Sequence, residues 1–308
     1  MSHGGNLNDK ITFMESFFIS GIVACISKTV SAPLERVKLL MQSQDDLLKK
    51  KIINKKYDGL VECFSRTYKT EGFIPFWRGN LANCIRYFPT QALTFSFKGK
   101  INNIKQLKIR KEDTTSTKLL KNIISGGLAG SLSLLFVYSL DYSRTRLGND
   151  AVNEVTGKRK YSGLIDVYRQ TYNTDGISGL YRGFAVSCFG IFVYRGFYFG
   201  LYDTMKPILL GSDNGFFKSF ILGYFVTVTA ELLAYPNDTV RRRMMMTSGE
   251  VEKFNGAWDC TVKIIKNEGF SSLMKGSVAN ILRGVSAAGV LAGYDKVVEW
   301  YLKSMKRV

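Results

Sequence analysis

The sequence predicts an all-α membrane protein in which six transmembrane helices form three pseudo-threefold repeats, with short helices between the members of each pair. The first observation is a set of aligned motifs. Trp77-Arg78-Gly79, Tyr181-Arg182-Gly183 and Met274-Lys275-Gly276 recur at the same two separations as Tyr57-Asp58-Gly59, Tyr161-Ser162-Gly163 and Phe254-Asn255-Gly256. Glu71-Gly72, Asp175-Gly176 and Glu268-Gly269 lie between them. A further series precedes these: Pro33-Leu34-Glu35-Arg36-Val37-Lys38, Ser139-Leu140-Asp141-Tyr142-Ser143-Arg144 and Pro236-Asn237-Asp238-Thr239-Val240-Arg241. Such self-similarity marks a chain built from one repeated supersecondary unit. The repeats are bounded at 1–110, 111–212 and 213–308 and make one structural domain. Each reads as a helix, a charged helical connection and a second helix. Six spans result, an even number that puts both termini on the same side.

The second observation is the spans themselves. One stretch of about 20 residues, Asn122–Leu140, carries no charge, as a membrane helix requires. Five others are each interrupted by one ionisable residue: Phe13–Leu34 by Lys28, Leu81–Phe97 by Arg86, Phe184–Tyr202 by Arg195, Phe220–Tyr235 by Glu231 and Val278–Tyr294 by Arg283. Buried helices of a soluble protein with snorkelling charges would give the same local pattern; the repeat favours the membrane. A charge within a membrane is costly and normally faces a water-filled cavity, so these five residues are functional candidates.

Composition narrows the classes. Hydrophobic residues are 45% and aromatics 13%, ample for burial, so a disordered chain is excluded. The five cysteines (Cys25, Cys63, Cys84, Cys188, Cys260) have no CxxC spacing and His3 is the only histidine, which excludes a disulfide scaffold, most metal sites and a His-dependent triad. A net charge of +18 fits either a soluble nucleic-acid binder or a carrier of small anions. Mean hydropathy near zero favours the soluble reading on its face, but it arises because five of the six spans carry a central charge. Met1–Lys10 has no basic n-region and is too short for a typical transit peptide, so neither targeting segment is expected.

Three copies of P-x-[DE]-x-x-[KR], each followed by an aromatic-x-G and an E-G-x4-[WY]-[KR]-G segment, resemble the mitochondrial carrier family from Phe13 to about Trp300. Within it, Arg241-Arg242-Arg243-Met244-Met245-Met246 resembles the signature of the ADP/ATP-exchanging branch. Ile26-Ser27-Lys28-Thr29 and Arg86-Tyr87-Phe88-Pro89-Thr90-Gln91-Ala92-Leu93 match that branch too. The resemblance implies a monomer in the inner membrane of a mitochondrion or mitochondrion-derived organelle, both termini on the cytosolic side. It would exchange ADP for ATP at one central site by alternating access, with no cofactor, metal, nucleic acid or covalent chemistry. Departures at Gly99, Ser139, Val298 and Glu231 imply a divergent member. The competing readings are a carrier for another nucleotide or a Mg-nucleotide, a proton-leak uncoupler, and a basic nucleic-acid-binding module.

The acid and base of Pro33-x-Glu35-x-x-Lys38 lie three apart, on one helix face. Proline bends the helix just before them. Six charges of alternating sign then meet in a ring with expected pairs Glu35–Arg144, Asp141–Arg241 and Asp238–Lys38, partly solvated and individually weak so that the ring can open. Gln42, one turn past Lys38, resembles the glutamine brace beneath such a matrix gate. Ser139 stands where proline is expected and would bend its helix by bonding back to the chain. The opposite, cytoplasmic gate is less complete. Tyr202-Asp203-x-x-Lys206 is whole; Tyr294-Asp295 is followed by Val298 in place of a base; Gly99 and Asn102 replace both charges in the first repeat. This gate is expected to rest on packing and an Asp295–Lys206 pair.

Repeat alignment locates a substrate site. Seven residues past the three aligned glycines stand Arg86, Gly190 and Arg283; five before each bend position stand Lys28, Leu134 and Glu231. Lys28, Arg86 and Arg283 make a mid-membrane receptor for polyphosphate. Gly190, Ile191 and Tyr194 offer an apolar slot with an aromatic wall for adenine, and these are contact positions in the family. Thr94 and Arg195 are secondary candidates. Glu231 is the oddity, expected to pair with a cavity cation. Gly126-Gly127-Leu128-Ala129-Gly130 is expected to pack the third helix against a neighbour within the monomer. Helix starts at Gly72, Gly79, Gly176, Gly183, Gly269 and Gly276, with Arg78, Arg182 and Lys275, would hold a doubly charged phospholipid such as cardiolipin, as in the family. The basic loop Lys98–Lys118 lies outside in the family topology, so charge does not orient the chain.

Overall fold

Apolar stretches of membrane length have one economical conformation, the helix, because it satisfies every backbone group within the segment. A computed structural model describes residues 13–104, 106–110, 112–209 and 216–284, and no strand occurs among them. The order is α1 (Phe13–Lys49), α2 (Leu60–Glu71), a 3₁₀ turn (Ile74–Trp77), α3 (Asn80–Asn102), α4 (Thr115–Gly148), α5 (Leu164–Leu180), α6 (Phe184–Leu209), α7 (Phe216–Met246), α8 (Ala257–Glu268), a second 3₁₀ turn (Phe270–Met274) and α9 (277–284). Long helix, short helix, long helix is thus the unit of each repeat. The sixth predicted span, Val278–Tyr294, runs beyond the described residues.

Phe17–Lys49, Thr115–Gly148 and Phe184–Lys206 are apolar and long enough to cross a membrane. On α1, Met14, Phe18, Ile22, Ile26 and Val30 recur every fourth residue and each is more than half exposed. An exposed apolar stripe of that length suits lipid and would be a liability in water. Three buried clusters lie where the short helices pack, and a fourth joins Leu222 and Val226 of α7 to α6. Cys63, Val167 and Cys260 occupy corresponding places in three separate buried clusters, one per repeat.

At 37 residues α1 spans about 55 Å, well beyond a hydrocarbon core of about 30 Å, so its last turns project past the membrane. Pro33 and Pro236 lie within α1 and α7, where the missing N–H permits a bend. α4 has Ser139 at the equivalent point. Its Oγ accepts from the Tyr168 hydroxyl of α5 at 3.4 Å, a contact to a neighbouring helix where a bond to its own backbone was expected.

The acid of each Glu-Gly or Asp-Gly pair ties its repeat to the next. Glu71 accepts from the Val152 N–H (2.9 Å) and Arg159 (3.0 Å) of the second repeat. Asp175 accepts from the Gly249 N–H (2.8 Å) and Lys253 (2.6 Å) of the third. Glu268 pairs with Lys49 of the first at 3.6 Å. Burial pushes the Asp175 carboxyl up, but Lys253 and the Gly249 N–H outweigh it and hold the group below its ordinary range. Burial pushes Glu268 up, and there Arg243 opposes without prevailing. The ties draw α1, α4 and α7 together at their C-terminal halves, which sets up the site.

Candidate functional site

Glu35 and Lys38 sit on α1, Asp141 and Arg144 on α4, Asp238 and Arg241 on α7. Convergence of the three helices makes each acid meet the base of the next repeat. Arg144 Nη2 lies 2.6 Å from Glu35, Arg241 Nη2 3.1 Å from Asp141, and Lys38 Nζ 3.1 Å from Asp238. Gln42 Nε2 reaches Asp238 at 3.4 Å and Thr239 Oγ1 at 3.3 Å. These pairs are solvated unevenly: the Asp141 side chain is 2% exposed and Lys38 6%, while their partners Arg241 and Asp238 keep 17% and 25%. Tight convergence removes the water, so each pair trades a large desolvation cost against a strong attraction.

Sequence reasoning missed Arg242 as a ring member. Its Nε is 3.0 Å from Asp238 and its Nη2 3.7 Å from Glu35. The signal was its place four residues after Asp238, on the same helix face. Of the other signature residues, Arg243 faces away from the cavity onto Asp45, Asp46 and Glu268 (3.3, 2.7 and 2.6 Å), while Met244, Met245 and Met246 are buried.

Above the ring lies a cavity of about 650 Å³. Arg86, Thr94, Gly190, Ile191, Tyr194, Arg195, Glu231 and Arg283 all line it. Arg86 Nη1 is 3.4 Å from Asp141, and Arg283 Nε is 3.8 Å from Glu35, so two cavity cations also touch ring acids. Glu231 pairs with Arg283 Nη2 at 3.1 Å. Thr94 Oγ1 is 3.0 Å from Ser133 Oγ of α4.

Lys28 is the exception. It does not line the cavity: Nζ turns into the seam between α1 and α3, 3.4 Å from Asn83 Oδ1 and 4.9 Å from the Tyr87 ring. An amide oxygen and an aromatic face satisfy the ammonium away from the crowded guanidinium groups.

The Gly126–Gly130 segment admits α6 at close range. A Cβ at Gly126 would stand 2.5 Å from Arg195 Nη1, and one at Gly130 3.1 Å from Ile191. Gly190 lies against Asn237, whose Nδ2 donates to Val186 O at 3.1 Å. Along α6, Tyr194, Tyr198 and Tyr202 stack at 6.0 and 6.1 Å between ring centroids, with Lys206 Nζ 5.6 Å over Tyr202. Tyr198 was missed, though its i+4 spacing from both neighbours was legible. The Asp203 side chain, Tyr294 and Asp295 lie outside the described residues.

The basic residues assigned to lipid have other partners. Arg78 Nη2 pairs with Asp150 at 2.6 Å, Arg182 Nη2 donates to Phe254 O at 2.7 Å, and Lys275 Nζ pairs with Asp45 at 2.6 Å. Each tie crosses to the next repeat, so these cations also hold the repeats together. Gly72 and Gly269 do not expose their donors, since their N–H groups bond to Tyr68 O and Ile265 O at 2.9 and 3.0 Å. Gly176, at φ 63°, breaks α5. Gly79, Gly183 and Gly276 have φ of 84–86°, a region suited to glycine. A Cβ there would meet Arg144 O at 2.9 Å, Arg241 O at 3.1 Å and Lys38 O at 3.0 Å. Each repeat's glycine therefore abuts the backbone of the next repeat's ring base.

The sequence profile of the family described as mitochondrial carrier protein matches residues 9–108, 115–213 and 212–305. The chain is 55% identical over 288 residues to an ADP,ATP carrier protein of Kluyveromyces lactis, covering 92% of this chain and 94% of that protein. It is 54% identical over 289 residues to a mitochondrial ADP,ATP carrier protein of Solanum tuberosum, covering 92% and 75%. To the ADP,ATP carrier protein of Chlamydomonas reinhardtii it is 53% identical over 289 residues, covering 92% and 93%.

Proposed function

The chain belongs to the mitochondrial carrier family, and from that membership we propose that it exchanges ADP for ATP across the mitochondrial inner membrane through its central cavity. The relatives' names support the substrate. The observation that carries the mechanism is that Arg86 and Arg283 line the cavity and also contact the ring acids Asp141 and Glu35.

Nucleotide phosphates bind Arg86 and Arg283, whose forked donors suit polyphosphate. Lys28 joins by leaving Asn83 and Tyr87. Adenine rests on Gly190, Ile191 and Tyr194, with Thr94 and Arg195 beside it. Phosphate neutralises the two arginines and so withdraws support from Asp141 and Glu35. The matrix-side ring loosens, its pairs gain water, and the cavity opens on the other side while Tyr202, Asp203, Lys206, Tyr294 and Asp295 draw together. Binding energy is thereby used to shift a conformational equilibrium. The carrier works as a monomer, with both termini on the cytosolic side. Cardiolipin is held by the helix starts at Gly79, Gly183 and Gly276, whose pattern supports the assignment more than that of Gly72, Gly176 and Gly269.

Uptake of labelled ADP into proteoliposomes tests the proposal. Vesicles loaded with ADP or ATP should take up label rapidly and unloaded vesicles should not. Ion conductance without nucleotide uptake, or uptake independent of internal nucleotide, would overturn it.

A further inference from the structure

Among the described cavity-lining carboxylates, Glu35 and Asp238 belong to the ring and Glu231 does not. Glu231 stands on α7 five residues before Pro236, where the other repeats have Lys28 and Leu134. Arg283 Nη2 donates to its two oxygens at 3.1 and 3.3 Å, and Asn280 Nδ2 donates at 2.7 Å. Asn280 is fixed in turn, since its Oδ1 accepts from Lys38 Nζ at 2.8 Å and from Arg283 Nε at 3.3 Å. The carboxylate is therefore held in one place, yet its side chain is 24% exposed and that of Arg283 30%. Any anion that binds Arg283 arrives within a guanidinium's width of a fixed negative charge.

We infer that Glu231 is a resident counter-anion of Arg283 that weakens nucleotide binding progressively as phosphate charge rises, and so sets selectivity among AMP, ADP and ATP. This rests on the exchange reading above and specifies its site. A phosphate must share Arg283 with Glu231, which Asn280 still holds in place, a cost common to all three nucleotides. Each added phosphate then brings about one more negative charge near the same carboxylate. Between unit charges several ångström apart in a half-solvated site, this repulsion corresponds to roughly threefold to tenfold in an equilibrium constant. The ordering by charge is the signature, because loss of a merely structural contact would shift all three nucleotides alike.

The test uses the full chain in ADP-loaded proteoliposomes, with AMP, ADP and ATP competing against labelled ADP uptake in magnesium-free buffer at low salt. Glu231→Gln keeps the shape and the Asn280 hydrogen bond while removing the charge. Its inhibition constants should fall in the order ATP most, then ADP, then AMP, with roughly a threefold to tenfold further drop for each phosphate. Glu231→Asp should keep the wild-type ratios. Should Glu231→Gln reconstitute poorly, nucleotide-dependent thermal stabilisation of Glu231→Ala in detergent reads the same ordering. Intact wild-type exchange with equal shifts for the three nucleotides, or none, would overturn this inference alone. No exchange by the wild type would overturn the exchange reading and this inference with it.

Discussion

Asp141→Asn is the sharpest perturbation of the ring. The wild-type carboxylate is shared by Arg241 at 3.1 Å, Arg86 at 3.4 Å and Arg144 at 3.7 Å, and is 2% exposed. The amide keeps the volume but leaves three guanidinium groups without that anion in a nearly dry site. Removing one partner of a buried ion pair costs about 3–5 kcal/mol, since the charge left behind has lost its compensation. At 1.4 kcal/mol per factor of ten, the ring-closed state loses on the order of a hundredfold or more relative to open states. Arg241→Gln added to Asp141→Asn should recover part of the loss, because one stranded cation is then gone. The assay is thermal unfolding in detergent beside Asp58→Asn, which breaks an exposed pair (Lys55–Asp58, 2.8 Å, Asp58 66% exposed) of small energetic weight. Asp141→Asn no more destabilising than Asp58→Asn, or a double variant worse than the sum of the singles, would refute the reasoning.

Arg86→Gln and Arg283→Gln should each raise the half-saturating ADP concentration about tenfold or more, measured as initial exchange rates, since each removes a charge-assisted donor from the cavity. Gly79→Ala, Gly183→Ala and Gly276→Ala should each destabilise the fold by about 1–3 kcal/mol, read as a lowered unfolding temperature, through positive φ and a Cβ pressed on a ring-base carbonyl; Gly99→Ala, with open space around its Cβ, serves as the control. Asp175 is held below its ordinary pKa in the fold, so its stabilisation is present above the unfolded value and is lost as pH falls through the folded one. Unfolding temperatures across the acid range should therefore fall less steeply below about pH 4 in Asp175→Asn than in wild type.

The ring pairs were legible because a three-residue spacing repeated in three helices fixes which charges share a face, and threefold symmetry supplies the partner. Cavity positions followed from the same phase argument, which is why Arg86, Gly190 and Arg283 were found. Helical phase does not fix a rotamer, however, and Lys28, with four rotatable bonds, chose Asn83 and Tyr87 over the cavity. Arg242 was overlooked in a run of three arginines, where Arg241 already filled the i+3 place and the i+4 spacing from Asp238 was the remaining signal. The protein partners of Arg78, Arg182 and Lys275 were not legible because they come from the next repeat, at a distance in sequence that no local pattern encodes. The Ser139 contact to Tyr168 lies within one repeat, but it joins two helices 29 residues apart, which local pattern does not encode either. Burial of the pairs was a packing outcome, settled by how closely α1, α4 and α7 converge rather than by the identity of the charges.

The central claim is that occupying the cavity loosens the ring through the arginines they share. Spin labels at Lys49, at the end of α1, and at the exposed Lys158, in the loop that follows α4, report the separation of the first two repeats beyond the ring. In lipid vesicles, on a background with the native cysteines replaced, ADP should add a population at longer separation, and Arg86→Gln combined with Arg283→Gln should abolish it. A single unchanged distance under conditions where exchange proceeds would contradict the account.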